Sequence, residues 1–213
     1  MSQDSAFFIY DHRDYIRGAS ILDEMINSVC SGGEDRQKGQ LVVDMAKFTH
    51  KVGEDGVIYW GEEANVHWEN SCGNFRGKLN GEPVQACFVA DPSRSIDGRI
   101  ASRHRLDKVT VSGDFSGGCH LQANSLEDFL IALVDANQQV QLASPPLAGK
   151  KWVVEVVFLQ KLVLDLAQTT WDLPIMVKNI AMRDHEGRIF TLNSVTPGSN
   201  PPLQMGFSFH PKG

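Results

Sequence analysis

"FFIYDHRDYIRGASILDEMINSV", Phe7 to Val29, opens on an apolar, aromatic run and passes through a turn holding Asp11, His12 and Asp14. It continues as a helix that carries Asp23 and Glu24. Leu22, Met25, Ile26 and Val29 recur at i, i+3, i+4 and i+7, the spacing that lines one side of an α-helix. Such a stripe has to be covered by another element. The stretch therefore predicts a strand, an ionisable turn, and a helix whose apolar side lies on a sheet while its acids mark a polar edge.

The same order of elements recurs. Laying "YIRGASILDEMINSV" over "LEDFLIALVDANQQV", so that Asp23 falls on Asp135, gives two apolar helices in which an acid is followed by amides. Strand-like stretches follow each one. In the first half they are "GQLVVDMAKFTHKV", "GVIYWGEEANVHWEN" and "GNFRGKLNGEPVQACFVADP". In the second they are "KKWVVEVVFLQKLVLDLA", "LPIMVKNIAMRDHEGRIFTLNSVTP" and "LQMGFSFHPKG". Ile58, Trp60, Ala64, Val66 and Trp68 alternate with Tyr59, Glu63, Asn65, His67 and Glu69, and Val154, Val156, Phe158, Leu162, Leu164 and Leu166 fall on one face broken only by Gln160, with Glu155, Lys161 and Asp165 among apolar residues on the other, so each set is expected on one face of a strand. Asn80-Gly81 and "DHEGR", Asp184 to Arg188, read as hairpin turns. The expected class is α+β. Residues 1–92 form a first repeat, 93–108 a polar linker and 109–213 a second repeat, with antiparallel strands in two sheets or one continuous sheet.

Bulk properties exclude several functions. A net charge of −6 and a pI near 5.6 argue against binding a phosphate backbone. Cys30, Cys72, Cys87 and Cys119 form no Cys-x-x-Cys pair, which points to a reducing compartment. The first residues lack a basic signal-peptide region, and no run approaches the about 20 apolar residues of a membrane span, so a cytoplasmic location is expected. There is no Gly-rich nucleotide fingerprint, no Gly-x-Ser-x-Gly elbow and no metal-ligand cluster.

Asp11-His12, Tyr15-Ile16-Arg17-Gly18 and Ile21-Leu22-Asp23-Glu24 resemble the "His…Pro-Gly…Leu-Glu-Ala" signature of acyl-carrier-protein dehydratases. They are also similar to the corresponding stretch of A-factor-biosynthesis-type hotdog proteins. In this match Gly18 takes the place of the family glycine and Asp23 that of its glutamate, while Arg17 stands where proline is usual. The resemblance implies a double hotdog, each sheet wrapped around a long central helix. It implies an enzyme acting on acyl thioesters by dehydration, hydrolysis or acyl transfer, in fatty-acid, polyketide or related secondary metabolism. The alternative is a non-catalytic acyl-binding or assembly protein that keeps the tunnel. Acyl carrier protein or acyl-CoA would be the partner and no cofactor would be held permanently, coenzyme A or phosphopantetheine serving as substrate carrier. The expected assembly is a monomer or homodimer.

Under that resemblance His12 and Asp23 are the candidate acid and base, with Asp14 or Glu24 as substitutes and Asp135 with Gln138 as a second set. Gly18 would present backbone N–H groups to the thioester oxygen. Arg103 and Arg105, in a run with Arg94 and Arg99, would grip phosphates. Each has a plainer reading. His12 with Asp11 and Asp14 also reads as a solvated turn in which Asp14 caps the helix. Asn124 is expected to cap the second helix, the arginine run also reads as a solvated linker, and Trp60, Trp68, Trp152 and Trp171, which would line an acyl tunnel under the resemblance, read for the most part as core or contacts between the copies.

Overall fold

In the computed structural model the stripe of Leu22, Met25, Ile26 and Val29 belongs to a helix, α1 (Gly18–Cys30), and none of the four is more than 3% exposed. The structure describes residues 1–4, 9–10, 17–31, 38–49, 53–96, 99–100, 105–112, 115–145 and 147–211. They form two units, Met1–Ser102 with Val163–Thr169, and Arg103–Leu162 with Thr170–Gly213.

The first unit contains β1 (Ser2–Asp4), β2 (Ile9–Tyr10), β3 (Gln40–Phe48), β4 (Glu54–Trp60), a short helix α2 (Glu62–His67), β5 (Gly73–Leu79), β6 (Glu82–Ser95) and β7 (Arg99–Ile100). Antiparallel pairing gives the order β1-β4-β6-β5-β3, and β2 pairs with β7 in parallel. The helix α1 lies on β4, β5 and β6. Cross-strand partners Ile58, Phe88 and Gly73 share the covered face, where a Cβ added to Gly73 would stand 3.0 Å from Ile21 Cγ2. Ile58, Phe75 and Phe88 are fully buried there, each worth a few kcal/mol by area.

The alternation expected to continue from Ile58 through Trp68 stops at Trp60. Gly61, at φ +68, turns the chain out of the strand, and the next residues wind into α2 with Glu62 and Glu63 in its first turn. This helix covers the opposite face of the sheet. Ala64 is buried, its carbonyl accepts the Cys87 thiol at 3.6 Å, and His67 stacks on Tyr59 at 3.8 Å. The expected hairpin at Asn80-Gly81 joins β5 to β6, both residues having positive φ, 52° and 89°.

The second unit contains β8 (Arg105–Leu106), β9 (Thr110–Ser112), β10 (Ser116–Ala123), the long helix α3 (Leu126–Leu142), β11 (Trp152–Asp165), β12 (Trp171–His185), β13 (Arg188–Pro197) and β14 (Leu203–Pro211). The order is β11-β14-β13-β12-β10-β8, all antiparallel, with β9 also on β10; the last residues of β11 belong to the first unit. The helix α3 packs on β8, β10, β12 and β13 through fully buried Leu133, Ala136 and Val140, and Phe129 stacks on Trp171 at 4.8 Å. The "DHEGR" hairpin joins β12 to β13, with Gly187 N–H donating to Asp184 Oδ1 at 3.1 Å.

Two further expectations need correction. The face expected to run from Val154 to Leu166 changes side within β11: a bulge between Val156 and Phe158 and a positive φ of 62° at Lys161 bring Leu159 inward beside Leu162 and Leu164. The stretch read as a linker, 93–108, carries strand near both ends, since β6 runs to Ser95 opposite Glu54 and β8 spans Arg105–Leu106.

Candidate active site

Each long helix begins differently. The helix α3 is capped as sequence rules demand: Ser125, in an extended conformation, accepts the backbone N–H of Asp128 at 3.1 Å, and Glu127 and Asp128 offset the positive end of the helix dipole. Asn124, expected as the cap, is exposed one residue earlier. The helix α1 has Arg17 at its cap position and, among the described residues, no side-chain cap hydrogen bond and no acid in its first turn. Asp14, expected to cap this helix, and His12 lie outside the described residues.

Gly18 is the first residue of α1, and its missing Cβ leaves room for the ring of Phe48 at the end of β3. Asp23 is half-buried in the second turn and accepts Asn27 Nδ2 at 3.0 Å. Glu24, also half-buried, lends its carbonyl to the Ser28 hydroxyl at 2.9 Å. Ser20, Asp23, Glu24 and Asn27 fall at three- and four-residue spacing, so one side of α1 is polar from its first turn onward. Asp135 and Gln138 are half-buried on α3.

The arginine run separates. Arg94 is held within its own unit by Asp4 Oδ1 at 2.9 Å and the Gly56 carbonyl at 3.1 Å. Arg103 lies outside the described residues. Arg105 is exposed and lines a cleft of about 460 Å³ with Gln122, Asn124, Thr170, Trp171 and Asp172. Trp68 lies under the Arg76 guanidinium at 4.3 Å, Trp152 donates to the Leu147 carbonyl at 2.9 Å, and Trp171 is core.

One polar group was not visible in the sequence. On β11, β13 and β14 the Glu155 carboxylate meets His210 Nε2 at 3.1 Å and Arg188 Nη2 at 3.5 Å, and Ser208 Oγ lies 3.0 Å from the same imidazole nitrogen. Only the register of three strands brings these residues together. A single nitrogen serves both serine and glutamate, and Ser208 is fully buried, so the group cross-links strands and is not built as a nucleophile. Nor are the central thiols activated: burial pushes Cys87 up to about 11 and also raises Cys119, which Asp107 pushes further.

No family model and no curated protein matches the chain. Solved structures do. The dehydratase domain from the CurJ module of the curacin polyketide synthase superposes with a TM-score of 0.55 at 8% identity, over 96% of this chain and 86% of that one. The GphF dehydratase 1 gives 0.50 at 8% identity, over 100% and 93%. The fold is a double hotdog. A hot dog fold protein of unknown function from Alicyclobacillus acidocaldarius is 13% identical over 100% of this chain and 92% of that one, with a TM-score of 0.49. At these identities the hotdog likeness concerns backbone architecture, and the chemistry has to be argued from the residues of this chain.

Proposed function

We propose that the chain is an enzyme acting on acyl thioesters, carried on coenzyme A or an acyl carrier protein, by dehydration, thioester hydrolysis or acyl transfer. The observation that carries this reading is the start of α1, where no side-chain cap and no first-turn acid is found among the described residues. A helix leaves its first N–H groups without intrahelical partners and concentrates positive potential there. The second unit satisfies its helix start with Ser125 and two acids, whereas among the described residues α1 has neither a side-chain cap nor an acid in its first turn. Such an end suits an oxygen that gains negative charge during reaction.

The polar side of α1 supplies the rest. Asp23 is the proposed base, its carboxylate oriented by the Asn27 amide, and Gly18 brings the first-turn backbone close to the ligand. His12 is the proposed acid partner, with Asp14 and Glu24 as substitutes and Asp135 and Gln138 as a second set on α3. Arg103 and Arg105 are the proposed phosphate contacts of the carrier. The capped start of α3 supports a narrower second reading for the second unit, a wall that binds acyl groups without chemistry.

The test is turnover of a panel of acyl-CoA and acyl-carrier thioesters by the wild type, His12→Ala and Asp23→Asn. The expected result is activity on at least one thioester that falls at least about 100-fold in Asp23→Asn. Absence of turnover throughout, or full activity in both variants, removes the proposal.

A further inference from the structure

A row of polar side chains crosses three strands of the second unit. Arg105 on β8, Gln122 on β10 and Asp172 on β12 are direct cross-strand partners, so they stand side by side on one face of the sheet. The other face, with Leu121, Ala123 and Trp171, is buried under α3. Neighbouring strands lie about 4.8 Å apart, which sets the backbones of the cation and the anion about 10 Å from each other with an amide between them. Asn124 and Thr170 stand at one end of the row. These residues and Trp171 line the cleft of about 460 Å³, and Trp171 is fixed by its stack on Phe129.

The ends of the row do not close on each other. Arg94 in the first unit is held by Asp4 and the Gly56 carbonyl, whereas the Arg105 guanidinium has no partner among the described residues. Asp172 is held from its own side of the row: His120 Nδ1 lies 3.3 Å from Oδ1, and the Gln122 amide donates to Oδ2 at 3.4 Å. A cation therefore faces an anion across an open, amide-lined cleft wide enough to admit a small molecule between them.

We propose that this cleft binds a free α-amino acid, its carboxylate on Arg105 and its ammonium on Asp172. The planar guanidinium matches a carboxylate with two parallel donors. An ammonium carries three donors, which the Asp172 carboxylate and the amide oxygens of Gln122 and Asn124 can accept. A dicarboxylate would set its second charge against Asp172, and a diamine would set one against Arg105. The site is independent of the thioester chemistry at α1. It shares one group with the reading above, since Arg105 cannot hold a carrier phosphate and a carboxylate together. Both charges are exposed, so each contact is screened and the expected Kd is about 1 mM.

The test follows amide NMR signals of the ¹⁵N-labelled wild type, Arg105→Gln and Asp172→Asn during titration with each of the common amino acids, then with the N-acetyl and carboxamide derivatives of the tightest one. At least one amino acid is expected to shift the signals of residues 105, 122 and 172 saturably, with each derivative about fivefold weaker. Arg105→Gln should no longer distinguish the amino acid from its carboxamide, and Asp172→Asn should no longer distinguish it from its N-acetyl derivative. Both positions are exposed, and unchanged signals elsewhere would show that the variants are folded. Absence of a saturable shift with every amino acid up to about 20 mM, or variants that keep both preferences, overturns the proposal. A cleft that answers to inorganic phosphate and to no amino acid also overturns it, and leaves Arg105 to the phosphate of the carrier.

Discussion

Gly18 and Phe48 compete for one space: a Cβ on Gly18 would stand 3.0 Å from Cγ of the Phe48 ring, closer than side-chain carbons normally approach. The contact seats the first turn of α1 on the end of β3, so its disturbance should register in both stability and activity. Gly18→Val is expected to lower unfolding stability by about 1–3 kcal/mol in urea titrations. Phe48→Leu placed in the same chain should recover part of that loss, although alone it is destabilising. Losses that simply add would show that the two residues are not coupled.

The two positions at the start of α3 separate by substitution. Ser125→Ala removes the acceptor for the Asp128 N–H and is expected to lower stability by about 1 kcal/mol. Asn124→Ala alters an exposed residue outside the helix and should stay within about 0.5 kcal/mol of the wild type. Equal effects in chemical denaturation would contradict the observed cap.

The hotdog architecture was legible because its signals are periodic. Leu22, Met25, Ile26 and Val29 predict one buried side of α1, and Asn80-Gly81 predicts its hairpin, since each rests on local geometry alone. What failed were single-residue interruptions. Gly61 turns an alternating run into α2 after Trp60, and Lys161 moves Leu159 inward, because one residue of positive φ resets a period of two. The acids of α1 stand out in sequence, whereas the different starts of α1, at Arg17, and α3, capped by Ser125, show only in the structure.

Lys161 gives a test in which strand propensity and backbone conformation disagree. Valine is favoured in strands, yet Lys161 has φ 62°, a region that β-branched residues resist. Lys161→Val is expected to destabilise by about 1–2 kcal/mol, and Lys161→Gly to be neutral or stabilising by up to about 1 kcal/mol, as read from denaturation midpoints. The reverse order would mean that β11 keeps a regular pleat through this residue.

Cys87 predicts how stability depends on alkaline pH. Its side chain is fully buried beneath α2, and burial pushes the thiol from 9.0 up to about 11, because a thiolate there would lose its water. In the unfolded chain the same thiol ionises near its ordinary value. Between pH 9 and about 11 the unfolded state therefore releases a proton that the folded state retains, so stability present below pH 9 declines across that window. Burial raises Cys119 in the same direction, so the informative quantity is the difference between the wild type and Cys87→Ala. Unfolding free energies measured from pH 8 to 10.5 should fall more steeply in the wild type, and a thiol reagent at pH 8 should label Cys87 only after denaturant is added. Identical pH slopes in the two proteins would show that Cys87 ionises as easily folded as unfolded, and the packing of α2 over β4 and β6 would have to be looser than described.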